Sequence, residues 1–131
     1  MSDLVQTLAL SASGMKAQAA RLRHVSENIA NADTPGFRRK LVSFETAGFG
    51  APQMPAMVAA GPVRLDRSEL PLVHDPSHPL ADGDGNYRGS NVDLVIEIAD
   101  ARQAQRSYEA NLKMFDQARQ MTSSLFEILR S

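Results

Sequence analysis

The chain contains no cysteine, and other features that would indicate particular classes of protein are missing with it. Without thiols it has no disulfide, no thiolate metal site and no cysteine nucleophile. No stretch approaches the roughly 20 apolar residues of a transmembrane helix. Asp3 stands where a secretory signal has its positive region, and Gln6 and Thr7 interrupt the apolar stretch. We therefore expect no cleaved signal peptide and no membrane-spanning segment.

The chain also lacks an excess of charge of either sign. The chain has 14 basic and 15 acidic residues, a net charge of -1 and a sequence pI near 6.3. Such a balance offers no broad basic field for nucleic acid or for an anionic membrane surface. We therefore expect no nucleic-acid partner.

Proline and glycine are absent from both ends of the chain, apart from Gly14. All seven prolines and seven of the eight glycines fall between residues 35 and 89. Because these residues interrupt regular structure, two unbroken flanks surround an irregular centre. The sequence predicts a helix in residues 1–34, an extended segment with a small β-hairpin in residues 35–89, and a second helix in residues 90–131.

The first flank carries apolar residues at helical spacing. They recur every seven residues, with a second set four places on: Met1, Leu8, Met15, Leu22 and Ile29, then Val5, Ala12 and Ala19. A helix over residues 3–31 would present them on one face. Gly14 lies inside that helix, where it costs up to ~1 kcal/mol relative to alanine. We expect either a packing reason for it or a mild hinge.

The second flank opens with a capping-box pattern, in which Ser90 caps backbone donors and Asp93 reaches back. The helix that follows has no breaker. Its apolar positions form a stripe that drifts into a second one: Leu94, Ile98, Ala101, Tyr108, Leu112 and Phe115, then Met114, Ala118, Met121, Leu125 and Ile128. The buried face is therefore expected to move around the helix along its length.

Together these patterns predict a mainly α protein. Two long terminal helices would pair as an antiparallel coiled-coil hairpin, joined by the extended, Pro/Gly-rich centre with its small β-hairpin. Each flank is apolar over more than one narrow seam. We therefore also expect neighbours beyond the chain, either further copies of it or partner helices.

In the centre, Pro35 and Gly36 suit the two middle positions of a type II turn. The basic residues 38–40 follow, and we interpret them as a solvated edge. The alternative is that they bind an acidic partner. Residues 41–44 are a candidate strand and residues 63–66 a candidate edge strand. Residues 48–62 are rich in Gly, Ala, Met and Pro and predict an extended loop.

Three features resemble reactive or metal sites without completing one. His74 and His78 are zinc-ligand types, but the prolines between and after them break any helix that would align them. Residues 82–93 place oxygen ligands as a calcium loop does, but Tyr87 stands where the turn needs glycine, so we predict a polar turn. His24 has no nucleophile beside it and is predicted to lie on the surface. We expect no enzyme activity, no metal and no cofactor.

Residues 28–37 read Asn-Ile-Ala-Asn-Ala-Asp-Thr-Pro-Gly-Phe, and with helices at both ends the chain resembles the bacterial flagellar rod and hook family. That family carries Asn-Leu-Ala-Asn followed by Thr-Pro-Gly and an aromatic residue. This sequence departs from the pattern only at Ile29 and at Phe37, where tyrosine is commoner. Blocks at residues 75–82, 90–95 and 106–112 resemble a proximal-rod member of the family. The short central segment agrees with this resemblance to a proximal-rod member, since distal-rod and hook members insert larger central domains.

The resemblance implies a structural subunit of the proximal rod, the axle that transmits torque to the hook, which polymerises through its terminal helices and does no covalent chemistry. Its partners would be further copies of itself, other rod proteins and, in transit, the flagellar type III export apparatus. It would lie in the periplasmic part of the basal body, exported without a cleaved signal peptide.

The resemblance also assigns roles to individual residues. The assembly motif would comprise Asn28, Ala30, Asn31, Thr34, Pro35, Gly36 and Phe37. Helix packing or subunit interfaces would use Leu8, Met15, Leu22, Ile29, Tyr108, Asn111, Leu112 and Phe115. Two alternatives stay open: a soluble helical adaptor or secretion chaperone that binds one client, and the sister proximal-rod subunit of the same family. An enzyme would require a metal at His74 and His78.

Overall fold

The computed structural model describes residues 2–47 and 57–131. In chain order its elements are α1 (Ser2–Ala30), β1 (Lys40–Ala47), β2 (Met57–Leu65), β3 (Leu72–His74), β4 (Asn86–Arg88) and α2 (Leu94–Arg130). The prediction of a mainly helical protein with a long helix towards each end is confirmed. None of the described helices is both long enough and apolar enough to cross a membrane.

The two helices pack against each other, and β2 packs on α1. Successively earlier residues of α1 meet successively later residues of α2. The contacting pairs are Asn28 with Glu97, Arg21 with Asp100 and Gly14 with Asn111. At 37 residues, α2 is roughly 55 Å long, since each residue of an α-helix adds about 1.5 Å. Residues 123–131 at its end are all exposed.

The core of the described region is small and partly polar. Its buried apolar side chains are Ala17, Val25, Ala104 and Ala118, and its buried polar ones are Ser11, Asn28, Ser90 and Glu97. Small side chains let the backbones approach closely but remove little apolar surface from water. Specific polar contacts therefore have a large part in fixing how the elements meet.

The start of α2 buries a charge and exposes its apolar residues. Glu97 is 0% exposed, whereas Leu94 and Ile98 are 47% and 46% exposed. The expectation that Leu94 and Ile98 lie on the buried stripe is wrong, because the helix turns Glu97 inward to meet polar partners. In α1, Val5, Ala12 and Ala19 also lie on the exposed side. The helix contact is therefore offset from the predicted stripe.

The predicted β-hairpin is present, and its strands are longer than expected. β1 pairs with β2 in antiparallel register from Lys40 opposite Leu65 to Ala47 opposite Met57, with an irregularity between Val42 and Phe44. Residues 57–62, predicted as loop, belong to β2. Their small side chains suit a strand that lies against α1, which local propensity does not reveal. Residues 48–56 of the predicted loop lie outside the described residues.

A second hairpin was not predicted. β3 pairs with β4 in antiparallel register, with Leu72 opposite Arg88 and His74 opposite Asn86. Each strand has only three residues, and prolines and glycines surround both. So short a pattern carries little periodicity, and the expectation of one hairpin in the centre is wrong.

The capping-box interpretation at the start of α2 is also wrong. The helix begins at Leu94 with Asp93 as its N-cap, and the Asp93 carboxylate accepts a hydrogen bond from the Val95 N–H at 3.0 Å. The Ser90 hydroxyl instead donates to the Ala32 carbonyl beyond the end of α1. Ser90 therefore joins the two helical ends, and Asp93 takes the capping role.

Candidate assembly site

The end of α1 is closed by side chains of the Asn-Ala-Asp-Thr-Pro-Gly sequence. Asn31 Nδ2 donates to the Glu27 carbonyl at 2.8 Å, and the Asn31 N–H donates to the same carbonyl at 3.1 Å. Thr34 Oγ1 donates to Asn31 Oδ1 at 3.1 Å. Gly36 has a φ of 76°, and the Phe37 N–H donates to the Thr34 carbonyl at 3.2 Å, as the predicted turn requires.

This turn is anchored to the segment that precedes α2. The Gly36 N–H lies 3.2 Å from the carbonyls of both Arg88 and Gly89. The Asn91 N–H donates to the Phe37 carbonyl at 3.3 Å. The turn therefore positions two distant parts of the sequence next to each other through backbone contacts.

Asn28, near the end of α1, holds the beginning of β1. Its Oδ1 accepts from the Lys40 N–H at 2.8 Å, and its Nδ2 donates to the Lys40 carbonyl at 3.0 Å. The side-chain amide thus binds Lys40 as a neighbouring strand would. Asn28 is 1% exposed, and its Nδ2 also donates to Glu97 Oε2 at 3.2 Å.

Glu97 lies at the centre of this arrangement. Arg39 Nε donates to Glu97 Oε1 at 2.7 Å, and the guanidinium also lies within 4 Å of Asp66 and Asp100. A carboxylate that is fully buried needs a charged partner and further hydrogen bonds to offset its lost hydration. Arg39 and Asn28 supply both.

Asn91 completes the cluster, which we call the joint (Asn28, Arg39, Asn91 and Glu97). The Arg39 N–H donates to Asn91 Oδ1 at 2.7 Å, and Asn91 Nδ2 donates to the Asp66 carbonyl at 3.0 Å. The joint therefore connects α1, β1, the end of β2 and α2 through side chains.

The basic residues 38–40 are engaged within the chain. Arg38 donates to the carbonyls of Asp66 and Ser68 at 3.2 and 2.9 Å, Arg39 belongs to the joint, and Lys40 Nζ pairs with Glu27. The interpretation of this run as a solvated edge is wrong, because the hairpin folds back on α1 and brings acceptors to it. The hydrogen bond from Lys40 lowers the pKa of the Glu27 carboxyl.

The other residues assigned by the resemblance are distributed along the helices. Half-buried positions are Leu8, Met15, Leu22, Tyr108, Asn111 and Phe115, together with Pro35 and Phe37 of the turn. Ala30 is exposed, and Ile29 and Leu112 are 38% and 40% exposed. The helix contact leaves these three positions accessible to a neighbour.

Sequence reasoning missed three of the four residues of the joint. Glu97 interrupts an apolar run, Val95 to Ile98, and a charge at such a place indicates a buried partner. Asn91 and Arg39 carried no comparable signal. His24, predicted on the surface, is half-buried with Nδ1 at 3.8 Å from Glu27 Oε2, because the hairpin covers this side of α1.

The features that resemble metal sites are loop contacts. His74 Nδ1 lies 2.9 Å from Asn86 Oδ1, and the His78 ring stacks on Tyr87 at 4.0 Å between centroids. Asp82 Oδ1 accepts from the N–H groups of Asp84 and Asn86 at 2.9 and 3.0 Å. Among the described residues no three potential metal ligands of the His, Cys, Asp or Glu types come together.

Two family models match the chain at the parts that build this site. One, described as flagella basal body rod protein, matches residues 8–38, and the other, described as flagellar basal body rod FlgEFG protein C-terminal, matches residues 84–128. The first match contains Asn28 and the turn, and the second contains Asn91 and Glu97. These two matches at the residues of the site indicate the class of flagellar basal-body rod proteins.

Relatives of known identity narrow this class. The flagellar basal-body rod protein FlgC of Agrobacterium fabrum is 38% identical over 100% of this chain and 99% of its own length. The FlgC proteins of Aquifex aeolicus and Salmonella typhimurium are 36% and 30% identical, over 97% and 90% of this chain and 98% and 92% of their own lengths. The chain belongs to the FlgC family of flagellar basal-body rod proteins, and it is a structural subunit of the basal-body rod.

Proposed function

We propose that this rod subunit belongs to the proximal rod and polymerises through its terminal helices. In this proposal residues 1–34 and 90–131 form an inner antiparallel coiled coil, and residues 35–89 form an outer part that makes lateral contacts. The subunit transmits torque and performs no covalent chemistry. The assigned motif and helix positions act in these contacts.

The observation that carries the proposal is an apolar stripe along α2 that the described part of the chain leaves partly exposed. The α2 stripe consists of Met114, Met121, Leu125 and Ile128, which are 49%, 51%, 37% and 68% exposed. Phe126 and Leu129 beside it are 50% and 72% exposed. Fully burying one such side chain contributes roughly 1.5–3 kcal/mol, so a stripe of this size favours contact with neighbouring helices.

The joint supports the same proposal. A subunit of an axle has to pass force between its inner helices and its outer contacts. Asn28, Arg39 and Glu97 hold the hairpin to both helices through a buried, charge-assisted cluster. Such a cluster resists rearrangement, because separating its members leaves a charge buried without a partner.

Membership of the family also supports a proposal for partners and location. We propose that the subunit contacts further copies of itself and other rod proteins, and that the flagellar type III export apparatus carries it to the periplasmic part of the basal body without a cleaved signal peptide. The resemblance of residues 28–37 to the family motif supports this location.

The proposal is tested by quantitative mass spectrometry of detergent-extracted basal bodies from the source organism. Several copies of the chain per particle are expected. A chain found only in the cytosol, bound to one client, would favour an adaptor or secretion chaperone instead.

The helical interface is tested by the double substitution of Met121→Gln and Ile128→Gln, which should deplete the chain from basal bodies while the purified monomer stays helical. Gln120→Ser is the matched control, since Gln120 is exposed on the same helix but lies outside the stripe.

A further inference from the structure

The base of the first hairpin carries a groove that combines apolar and basic side chains. The groove has a volume of about 880 Å³. Its apolar residues are Leu41, Val63 and Leu65, which are 37%, 43% and 54% exposed. Its basic residues are Arg38, Arg64 and Arg67, so we call it the basic groove.

The positive charge of the basic groove is poorly compensated within the chain. Arg64 and Arg67 are exposed and form no ion pair within 4 Å with any residue of the described ranges. Arg38 donates to backbone carbonyls. A hydrogen bond from the Ser68 N–H lowers the pKa of the Asp66 carboxyl, and the Arg39 guanidinium lies 3.7 Å from the same carboxylate and lowers its pKa further. The groove therefore presents unpaired guanidinium groups beside an apolar floor.

The loop that connects β3 and β4 has the complementary character. In residues 80–84, which we call the acidic loop, Leu80 is 63% exposed and Asp82 and Asp84 are exposed beside it. Two backbone N–H groups bind Asp82 Oδ1, and His78 stacks on Tyr87 at the base of the loop. The loop is thus held in one shape before any partner arrives, which reduces the entropy lost on binding.

We propose that the acidic loop of one copy occupies the basic groove of a neighbouring copy; this contact rests on the proposed rod function. Leu80 packs against Leu41 and Val63, and the carboxylate of Asp84 faces Arg64 and Arg67. With a net charge of -1, a basic groove must be balanced by acidic surface elsewhere on the same chain. Because the two patches differ, the contact is heterologous and repeats from copy to copy, as a lateral contact in a rod requires.

Charge reversal tests the contact in cells. Arg67→Glu and Asp84→Lys should each lower incorporation into basal bodies by roughly tenfold, since each places like charges together. The combined variant Arg67→Glu with Asp84→Lys restores an opposite-charge pair between positions 67 and 84 wherever two copies meet. It should recover part of the incorporation, although Arg64 then carries the same charge as the substituted position 84. Single variants that incorporate as the wild type does, or a combined variant no better than either single one, would overturn the proposal.

Because the chain lacks cysteine, disulfide crosslinking gives a direct second measurement. Two copies with different tags, one with Arg67→Cys and one with Asp84→Cys, should form a mixed dimer in oxidised basal bodies. A copy with Asp33→Cys, also exposed, should not crosslink to Arg67→Cys. If both copies are present in basal bodies without a mixed dimer, or if Arg67→Cys crosslinks to another protein, the contact is overturned while the rod function stands. If the wild-type chain is absent from basal bodies, both fail.

Discussion

Gly14 of α1 and Asn111 of α2 touch so closely that a Cβ atom on Gly14 would lie 2.7 Å from Asn111 Oδ1. The Asn111 side chain is held in place, since its Nδ2 donates to the Ser107 carbonyl at 2.8 Å. Of the two explanations for a glycine inside this helix, packing is therefore the correct one. The contact also shows that Asn111 faces α1.

We expect Gly14→Ala to destabilise the chain by ~1 kcal/mol in urea unfolding. Alanine gains up to ~1 kcal/mol over glycine in a helix, but the overlap with Asn111 costs about 1–3 kcal/mol. In an Asn111→Ala background the overlap is gone, so the same substitution should stabilise the chain. If the two substitutions add to within about 0.5 kcal/mol, the proposed contact does not determine the effect.

Asn28→Ala should destabilise the chain by about 2–4 kcal/mol, measured by thermal or urea unfolding. The substitution removes three hydrogen bonds at ~1 kcal/mol each and leaves Lys40 and Glu97 groups without a partner. Asn28→Asp should be worse at neutral pH, because a second carboxylate then faces buried Glu97.

Asn31→Ala is the matched control for the joint. Asn31 is also an asparagine near the end of α1, but it lies partly exposed, and its side chain makes two hydrogen bonds, one to the Glu27 carbonyl and one from the exposed Thr34 hydroxyl. Its loss should cost only ~1 kcal/mol. Equal effects at Asn28 and Asn31 would contradict the role assigned to the joint.

The helices could be predicted from sequence, and the joint could not, for a physical reason. Breakers confined to residues 35–89 set the helix boundaries by local sterics alone. In contrast, Arg39 and Glu97 are 58 residues apart, and their pairing exists only once the hairpin lies on both helices. The exposure of Leu94 follows from the same burial of Glu97. The turn at Pro35 and Gly36 was predicted because its chemistry is local, whereas Asn28, Asn31 and Thr34 were assigned by the family resemblance.

Stability should fall as the solution is acidified below about pH 5. Hydrogen bonds from Lys40 lower the pKa of Glu27 from its ordinary 4.5, and bonds from Ser77 lower that of Asp75 from 3.8. A carboxyl whose pKa is lower when folded stabilises the fold above its unfolded pKa. That contribution is lost as pH falls through the folded pKa.

The pH dependence is checked by urea unfolding at a series of pH values between 7 and about 2. Lys40→Met should reduce the slope below pH 4.5, since Glu27 then returns towards its ordinary pKa. Ser77→Ala should do the same for Asp75. An acid slope unchanged in both variants would show that other carboxylates set the pH dependence.

Gly36→Val should abolish rod assembly, measured by swimming motility and by the amount of chain in basal bodies. A Cβ on Gly36 meets no atom within 4 Å, so space is not the obstacle. The obstacle is the φ of 76°, which costs a residue with a side chain about 1–2 kcal/mol and a β-branched residue more.

If the backbone shifts to relieve that strain, the Gly36 N–H moves away from the carbonyls of Arg88 and Gly89, and the turn separates from the segment before α2. Gly36→Asn is the matched control, because asparagine tolerates a positive φ better than valine does at the same open position. Gly36→Asn should impair assembly less than Gly36→Val, and wild-type motility of Gly36→Val would show that assembly does not depend on this turn.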